Sequence, residues 1–222
     1  MRVHGKNVFN ELDIKSIRKI YLSKSFNDKN IIDFIKENKI KYVLCDNRVM
    51  DNMIKNNQGI IVEIDDFKYC DINVIDDDFV IILDHIEDPH NFGAIIRTAE
   101  SMGIKNIIIP KDRSVVVNET VMKTSAGALN HVNIIRVTNL VNAIDYLKKE
   151  GFFIYGAEAD GVNYKSIDYS EKRCLVMGSE GKGISPIVRK NCDVIVSLPM
   201  KGHVNSLNVS VATAIFIYEM GD

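Results

Sequence analysis

The chain has 222 residues, 46% of them hydrophobic, and carries 28 basic and 30 acidic side chains for a net charge of -2. That length and apolar fraction suffice for one large domain or two smaller ones, each with its own core, and the charge lacks the basic excess common in nucleic-acid binders. No apolar run approaches the ~20 residues of a membrane span, and the opening "MRVHGKNVFN" lacks the apolar centre of a secretory signal, so a soluble cytoplasmic protein is expected. Residues 1–73 hold 13 basic against 11 acidic side chains and residues 74–222 hold 15 against 19, a mild surplus compatible with a phosphate-facing first part. Cys45, Cys70, Cys174 and Cys192 are widely spaced without a CxxC pair, which reads as buried reduced thiols rather than a metal or disulfide framework.

In chain order, "IRKIYLS" (17–23) reads as a strand, "DKNIIDFIKEN" (28–38) as a helix capped by Asp28, "KYVLC" (41–45) as a strand, "DNRVMDNMIKN" as a polar helix and "GIIVEI" (59–64) as another strand. These form a small α/β unit over residues 1–68. The acidic stretch "DDFKYCDINVIDDD" (65–78) looks poor in core residues, and 69–78 is expected to link that unit to a second domain over 79–222. Strands follow at 79–84, 106–110, 132–137, 151–159, 173–178 and 193–199, with helices between most of them, as at 91–102 and 139–149. Apolar strands alternating with helices predict a mainly parallel sheet covered on both faces. Sites in such sheets lie beyond the carboxyl ends of the strands.

Three strand ends carry unusual loops. In "LDHIEDPHNFGAIIRTAESMG" (83–103), Asn91 reads as a helix N-cap and Gly93 as a point of close backbone approach. Its two His and three carboxylates match no metal-ligand spacing, so no metal is expected. Arg97 reads either as a half-buried partner of a carboxylate or as a contact to phosphate or a reacting group. In "LVMGSEGKGIS" (175–185), Gly178, Gly181 and Gly183 give GxxGxG, neither a dinucleotide fingerprint nor a P-loop, and serve either ligand approach or a tight turn. Glu180 inside that loop suggests a hydrogen bond to a ligand. In "SLPMKGHVNSLNVSVATAIFIYEM" (197–220), Asn205, Ser206 and Asn208 cluster before an apolar helix, more polar groups than one cap requires.

Together these stretches resemble the three signature motifs of the SpoU/TrmH family of RNA ribose 2'-O-methyltransferases, within the SPOUT superfamily. "NFGAIIRTAE" matches the first at Asn91, Gly93 and Arg97; "VMGSEGKGIS" matches the second at Gly178, Glu180 and Gly183; "LPMKGHVNSLNVSVA" matches the third through Ala212. "VHGKNVFNEL" (3–12) and "NNQGIIVEI" (56–64) resemble the ribosomal-protein-like RNA-binding module that precedes the catalytic domain in ribosomal members, with Asn57 where His is usual. The resemblance implies an α/β sheet with a C-terminal trefoil knot, a homodimer without metal, and S-adenosylmethionine held near Gly178, Leu198, Met200, Leu207 and "AEADG" (157–161) from Ala157 onward. It implies Arg97, Asn91, Glu180, Ser206 and Asn208 at the reacting centre, Arg97 either taking the ribose proton with help from an RNA phosphate or staying cationic beside the developing alkoxide. The implied substrate is a guanosine of 23S ribosomal RNA, with transfer RNA as the alternative. A nucleotide-dependent oxidoreductase fits the fold but lacks the fingerprint glycines; a non-catalytic ribosome assembly factor would have lost the motif residues.

Overall fold

Two β-sheets organise the chain, and a computed structural model describes residues 1–221 of it. The first unit runs β1 (Arg2–His4), α1 (Lys6–Glu11), β2 (Ile17–Ser23), α2 (Lys29–Glu37), β3 (Tyr42–Cys45), α3 (Asn47–Met53) and β4 (Ile60–Ile64). Its sheet has the order β1-β4-β2-β3, with β2 and β3 parallel and β4 antiparallel to both its neighbours. Asp28 caps α2 by accepting from the Ile31 N–H, and the helix then buries Ile31 and Ile35 on the sheet beside Val3, Ile20 and Val62.

The second unit runs β5 (Phe79–Asp84), α4 (Pro89–Ser101), β6 (Asn106–Pro110), α5 (Glu119–Ser125), β7 (Asn133–Val137), α6 (Leu140–Lys149), β8 (Phe153–Asn163), β9 (Arg173–Gly178), α7 (Pro186–Lys190), β10 (Val194–Ser197) and α8 (Val209–Gly221). The sheet order is β10-β8-β9-β5-β6-β7, and every pairing within it is parallel. Strand β5 is buried at all six positions because both faces are covered: Ile81 and Leu83 pack under α4, α5 and α8, whereas Val80 and Ile82 pack under α6 and α7. Each face forms its own apolar cluster, and the sheet is the partition between them.

Several expectations need correction. The stretch 65–78 is not core-poor. Phe67 and Tyr69 pack on one face of the second sheet, Ile72 and Ile75 on the other, and the Cys70 N–H donates to the Ile134 carbonyl of β7 at 2.9 Å. Helix α5, seven residues long, shows no clear apolar period and is an added element between β6 and β7. Of the four cysteines only Cys174 is fully buried, the others being half-buried; burial pushes the Cys192 thiol up to about 12. Gly93 does permit close approach, but to protein: a Cβ there would lie 2.6 Å from the Thr124 Cβ and 3.1 Å from the Val121 carbonyl of α5. Gly93→Ala therefore pushes α4 from α5 and lowers stability by about 1–3 kcal/mol, read as a fall in the thermal midpoint; an unchanged midpoint would mean that the helices part freely.

The units meet across α5. Met122 packs on both apolar cores, and the Asn130 side-chain amide donates to the Glu11 carbonyl at 2.8 Å. The His4 N–H donates to Glu119 Oε1 at 2.9 Å, and His4 Nδ1 is bonded to the same oxygen. Lys123 Nζ lies 2.9 Å from His4 Nε2. An ammonium can only donate, so Nε2 accepts, Nδ1 carries the hydrogen and the ring is neutral. Burial, reinforced by Lys123 and opposed by Glu119, holds the imidazole below its ordinary 6.5. A depressed histidine favours folding above its unfolded value, and that contribution disappears as pH falls through the folded one. Acidifying from about pH 7.5 to about pH 5 thus lowers the thermal midpoint, and His4→Gln flattens that dependence.

Candidate active site

The chain leaves β7 at one edge and re-enters the sheet at β8, beyond β5 and β9, so a crevice opens past the carboxyl ends of β5 and β9. Beyond β5, the buried Asp84 accepts from the Ser185 N–H at 2.7 Å and pairs through its other oxygen with His85 Nδ1, tying this loop to the one after β9. Helix α4 then begins at Pro89 with Asp88 as its cap, accepting from the His90 N–H at 2.9 Å. Asn91 is therefore not the N-cap. The Asp-Pro pair supplies the cap and a fixed first residue, which leaves the buried Asn91 amide to point toward the neighbouring loop.

The loop after β9 folds back on itself. Ser179 and Gly183 exchange backbone hydrogen bonds of 3.1 and 2.9 Å, with Gly181 and Gly183 in left-handed conformations. A Cβ on Gly178 would sit 2.0 Å from the Gly183 carbonyl carbon, so its missing side chain makes room for the loop's own backbone. The tight-turn reading holds for these glycines. Glu158, midway along β8, braces the turn by accepting from the Ile184 N–H at 2.5 Å.

The third segment runs from Leu198 to Asn208 and enters α8, which starts at Val209, later than Ser206. Asn208 is the cap: its Oδ1 accepts from Ser210 N–H at 3.0 Å, Val211 N–H at 3.4 Å and the Ser210 hydroxyl at 2.6 Å. Its Nδ2 is then free to donate outward, to Asn91 Oδ1 at 3.0 Å and Glu180 Oε1 at 3.2 Å. Asn91 Nδ2 donates to that same Glu180 oxygen at 2.6 Å. One carboxylate oxygen thus gathers the amides of two other motifs.

Beside this network lies a cleft of about 520 Å3, in the size range of small-molecule sites. Ala157, Gly178, Leu198, Met200 and Leu207 all line it, as do Glu180, Ser206 and Asn208. Met177, Ala212 and Phe216 complete an apolar wall, and Glu158 is an added carboxylate that the "AEADG" stretch contained without being distinguished there. Ser206 is exposed, lines the cleft and makes no hydrogen bond among the described residues. A smaller cavity of about 220 Å3, lined by His85, Asn91, Glu180 and Lys182, adjoins the other side of the network.

Arg97 stands apart. It lines neither cavity, is exposed on α4, and among the described residues has no ion pair or hydrogen bond; Glu11 of the first unit is the carboxyl group that feels its charge. The half-buried, carboxylate-paired reading is therefore overturned. Six residues from Asn91, it faces about 120° around the helix from that amide, so within this chain Arg97 does not meet Asn91 and Glu180.

Residues 78–218 match the SpoU rRNA Methylase family, and residues 3–70 match a family described as RNA 2'-O ribose methyltransferase substrate binding. A TrmH family tRNA/rRNA methyltransferase of Staphylococcus haemolyticus is 39% identical over 92% of this chain and 88% of its own length. Among solved structures, the SpoU methyltransferase AviRb of Streptomyces viridochromogenes, in complex with AdoMet, shares the fold at 20% identity, with a TM-score of 0.84 over 100% of this chain and 89% of that one. The A. aeolicus TrmH/SpoU tRNA modifying enzyme is 33% identical, with a TM-score of 0.58 over 65% of this chain and 74% of its own. A parallel sheet whose three motif loops meet at one carboxylate, preceded by a separate substrate-binding unit, places this chain in the SpoU family of RNA methyltransferases.

Proposed function

We propose that the chain transfers a methyl group from S-adenosyl-L-methionine to the ribose 2'-hydroxyl of a guanosine in 23S ribosomal RNA, as a cytoplasmic homodimer. The observation that carries this reading is the meeting of Asn91, Glu180 and Asn208 at the wall of the cleft. Residues 1–68 present the RNA, 69–78 connect, and the catalytic domain from 79 onward has its C-terminal segment threaded as a trefoil knot. Passage of residues 198–208 beside the 178–183 turn supports that threading. No helix among the described residues is long and apolar enough to cross a membrane.

The cleft fits the cofactor. Leu198, Met200, Leu207, Ala157 and Phe216 offer an apolar wall for a flat heterocycle, while the Glu180 carboxylate complements a cationic sulfonium. When bound, the cofactor supplies an electrophilic methyl group. The protein's task is then alignment of the acceptor oxygen and management of its proton. Because both amides engage Oε1 of Glu180, Oε2 remains available to accept the 2'-hydroxyl hydrogen bond, with Ser206 at the cleft mouth as a second orienting group. A guanidinium holds its proton, so Arg97 acts as a cation that stabilises the developing alkoxide. Its position outside its own chain's cleft supports delivery by a partner subunit or by bound RNA. Helix α8 supports the dimer: it is apolar nearly all round, burying Phe216 and Ile217 while Val211 and Tyr218 stay about half exposed.

Tritium transfer to ribosomal RNA, with 2'-O-methyl mapping in a deletion strain, tests the reaction and names the nucleotide. A modified site in transfer RNA would shift the reading to tRNA, the acceptor named for the A. aeolicus relative. Arg97→Ala should lower transfer on the order of 10²–10³-fold while calorimetric affinity for the cofactor holds; loss of that affinity would make Arg97 structural. Glu180→Ala should slow turnover by on the order of 10²-fold, and adding Asn91→Ala should cost little more, because groups acting as a unit are not additive. Fully additive losses would mean that the two side chains act separately.

A further inference from the structure

The first unit carries a cleft of its own, of about 350 Å3, beyond the carboxyl ends of the parallel strands β2 and β3. Its wall includes Lys6 at the start of α1, Phe26 in the turn after β2, Asn47 and Asp51 on α3, and the loop 56–59 before β4. That loop is strained. Asn56 has a φ of 57° and Gln58 one of 55°, left-handed values that Asn tolerates and that a longer side chain such as Gln rarely adopts. Between them the buried Asn57 acts as a fastener, donating to Asp51 Oδ1 at 2.9 Å and the Ile54 carbonyl at 2.8 Å and accepting from the Gly59 N–H at 2.9 Å. Asn57 is thus spent on holding the wall.

The remaining amides are only half used. Gln58 Oε1 accepts from the Lys6 backbone N–H at 3.2 Å, and since that N–H can only donate, the orientation of the amide is set and its Nε2 is left to the cleft. Asn47 Oδ1 accepts from the hydroxyls of Ser23 and Ser25, leaving its Nδ2. The Asn27 and Asn56 side chains make no hydrogen bond among the described residues. Phe26 adds an aromatic face, and the Lys6 ammonium above it is already paired with Asp28 at 3.0 Å.

A neutralised cation and the Asp51 carboxylate make this a poor phosphate site. Amide donors, one carboxylate acceptor and an aromatic face suit a flat, uncharged ring edged with nitrogens and carbonyls. We infer that this cleft holds one unpaired nucleobase of the RNA substrate, anchoring it away from the cofactor cleft. The inference rests on the chain acting on RNA. It adds a second fixed point, so that the ribose to be methylated is selected by its distance from a flipped-out base.

Asn47→Asp and Gln58→Glu test it, because each keeps the internal acceptor while replacing the presented N–H with a carboxylate oxygen. Full-length protein is titrated by fluorescence anisotropy with three hairpins of one stem: fully paired, carrying a single bulged nucleotide of each base in turn, and carrying a bulged abasic ribose. The expected result is that one bulged base binds on the order of tenfold tighter than the paired stem, that the abasic bulge binds like the paired stem, and that both variants abolish the ratio. General repulsion of RNA by an added charge weakens all hairpins alike and leaves the ratio intact. Equal binding of abasic and base bulges, preference for free nucleoside monophosphates over the hairpin, or variants that keep the ratio would each overturn the inference. Should one variant fail to melt like the parent, the other decides. Calorimetry of the cofactor on the same protein keeps the two readings apart: absent cofactor binding with an intact ratio sinks the methyltransferase reading alone, and the reverse sinks the base pocket alone.

Discussion

Oxygen Oε1 of Glu180 is the point on which the second unit converges. It receives hydrogen bonds from Asn91 and Asn208, residues 117 positions apart in sequence, and both amides reach it only because their other obligations are met elsewhere. Asp88 takes the cap of α4, so Asn91 is free; Asn208 caps α8 with its oxygen, so its nitrogen is free. A turn tight enough to present Glu180 in turn demands Gly178, whose absent Cβ is replaced by the backbone of Gly183. Ordered this way, the carboxylate does not need substrate to find its orientation, which is the condition for catalysis by pre-arranged polar groups.

The sheet supplies the rigid floor for this arrangement. Strand β5, buried on both faces, passes from the apolar partition directly into Asp84, and that buried carboxylate holds the Ser185 N–H of the adjoining loop. Strain elsewhere is confined to loop positions, such as His85 beside the network and Asn56 and Gln58 on the first unit.

Much of this could be read from the residues alone, and the failures have physical causes. Strands β5, β6 and β9 stand out as continuous apolar runs because both faces are covered, and the amphipathic α2 shows its period because one face is wet. Helix α5 was hidden: its seven residues, "ETVMKTS", mix β-branched and polar groups, and it is held by packing of α4 at Gly93 rather than by propensity. Asn91 reads as a cap because polar residues at a helix start look alike, and it is Asp88 and Pro89 that occupy that role. The glycines of the second loop suggested room for a ligand, yet at Gly178 the neighbour is protein. Ala157, Gly178, Leu198, Met200 and Leu207, drawn from the family resemblance, line one cleft, whereas Asp160 and Gly161 of the "AEADG" stretch do not; nor does Arg97, from the same motif as Asn91, since helix geometry separates residues six apart.

The stretch that joins the two units has a further consequence. Strand β7 terminates the second sheet, and Cys70 lies along its outer side, engaging the Ile134 carbonyl while Tyr69 accepts from the Val117 N–H nearby. A bare terminal strand is a template for pairing with another molecule. The connector therefore doubles as an edge guard, and a catalytic unit cut at Phe79 would uncover a sticky strand that a cut ahead of Phe67 would keep sealed.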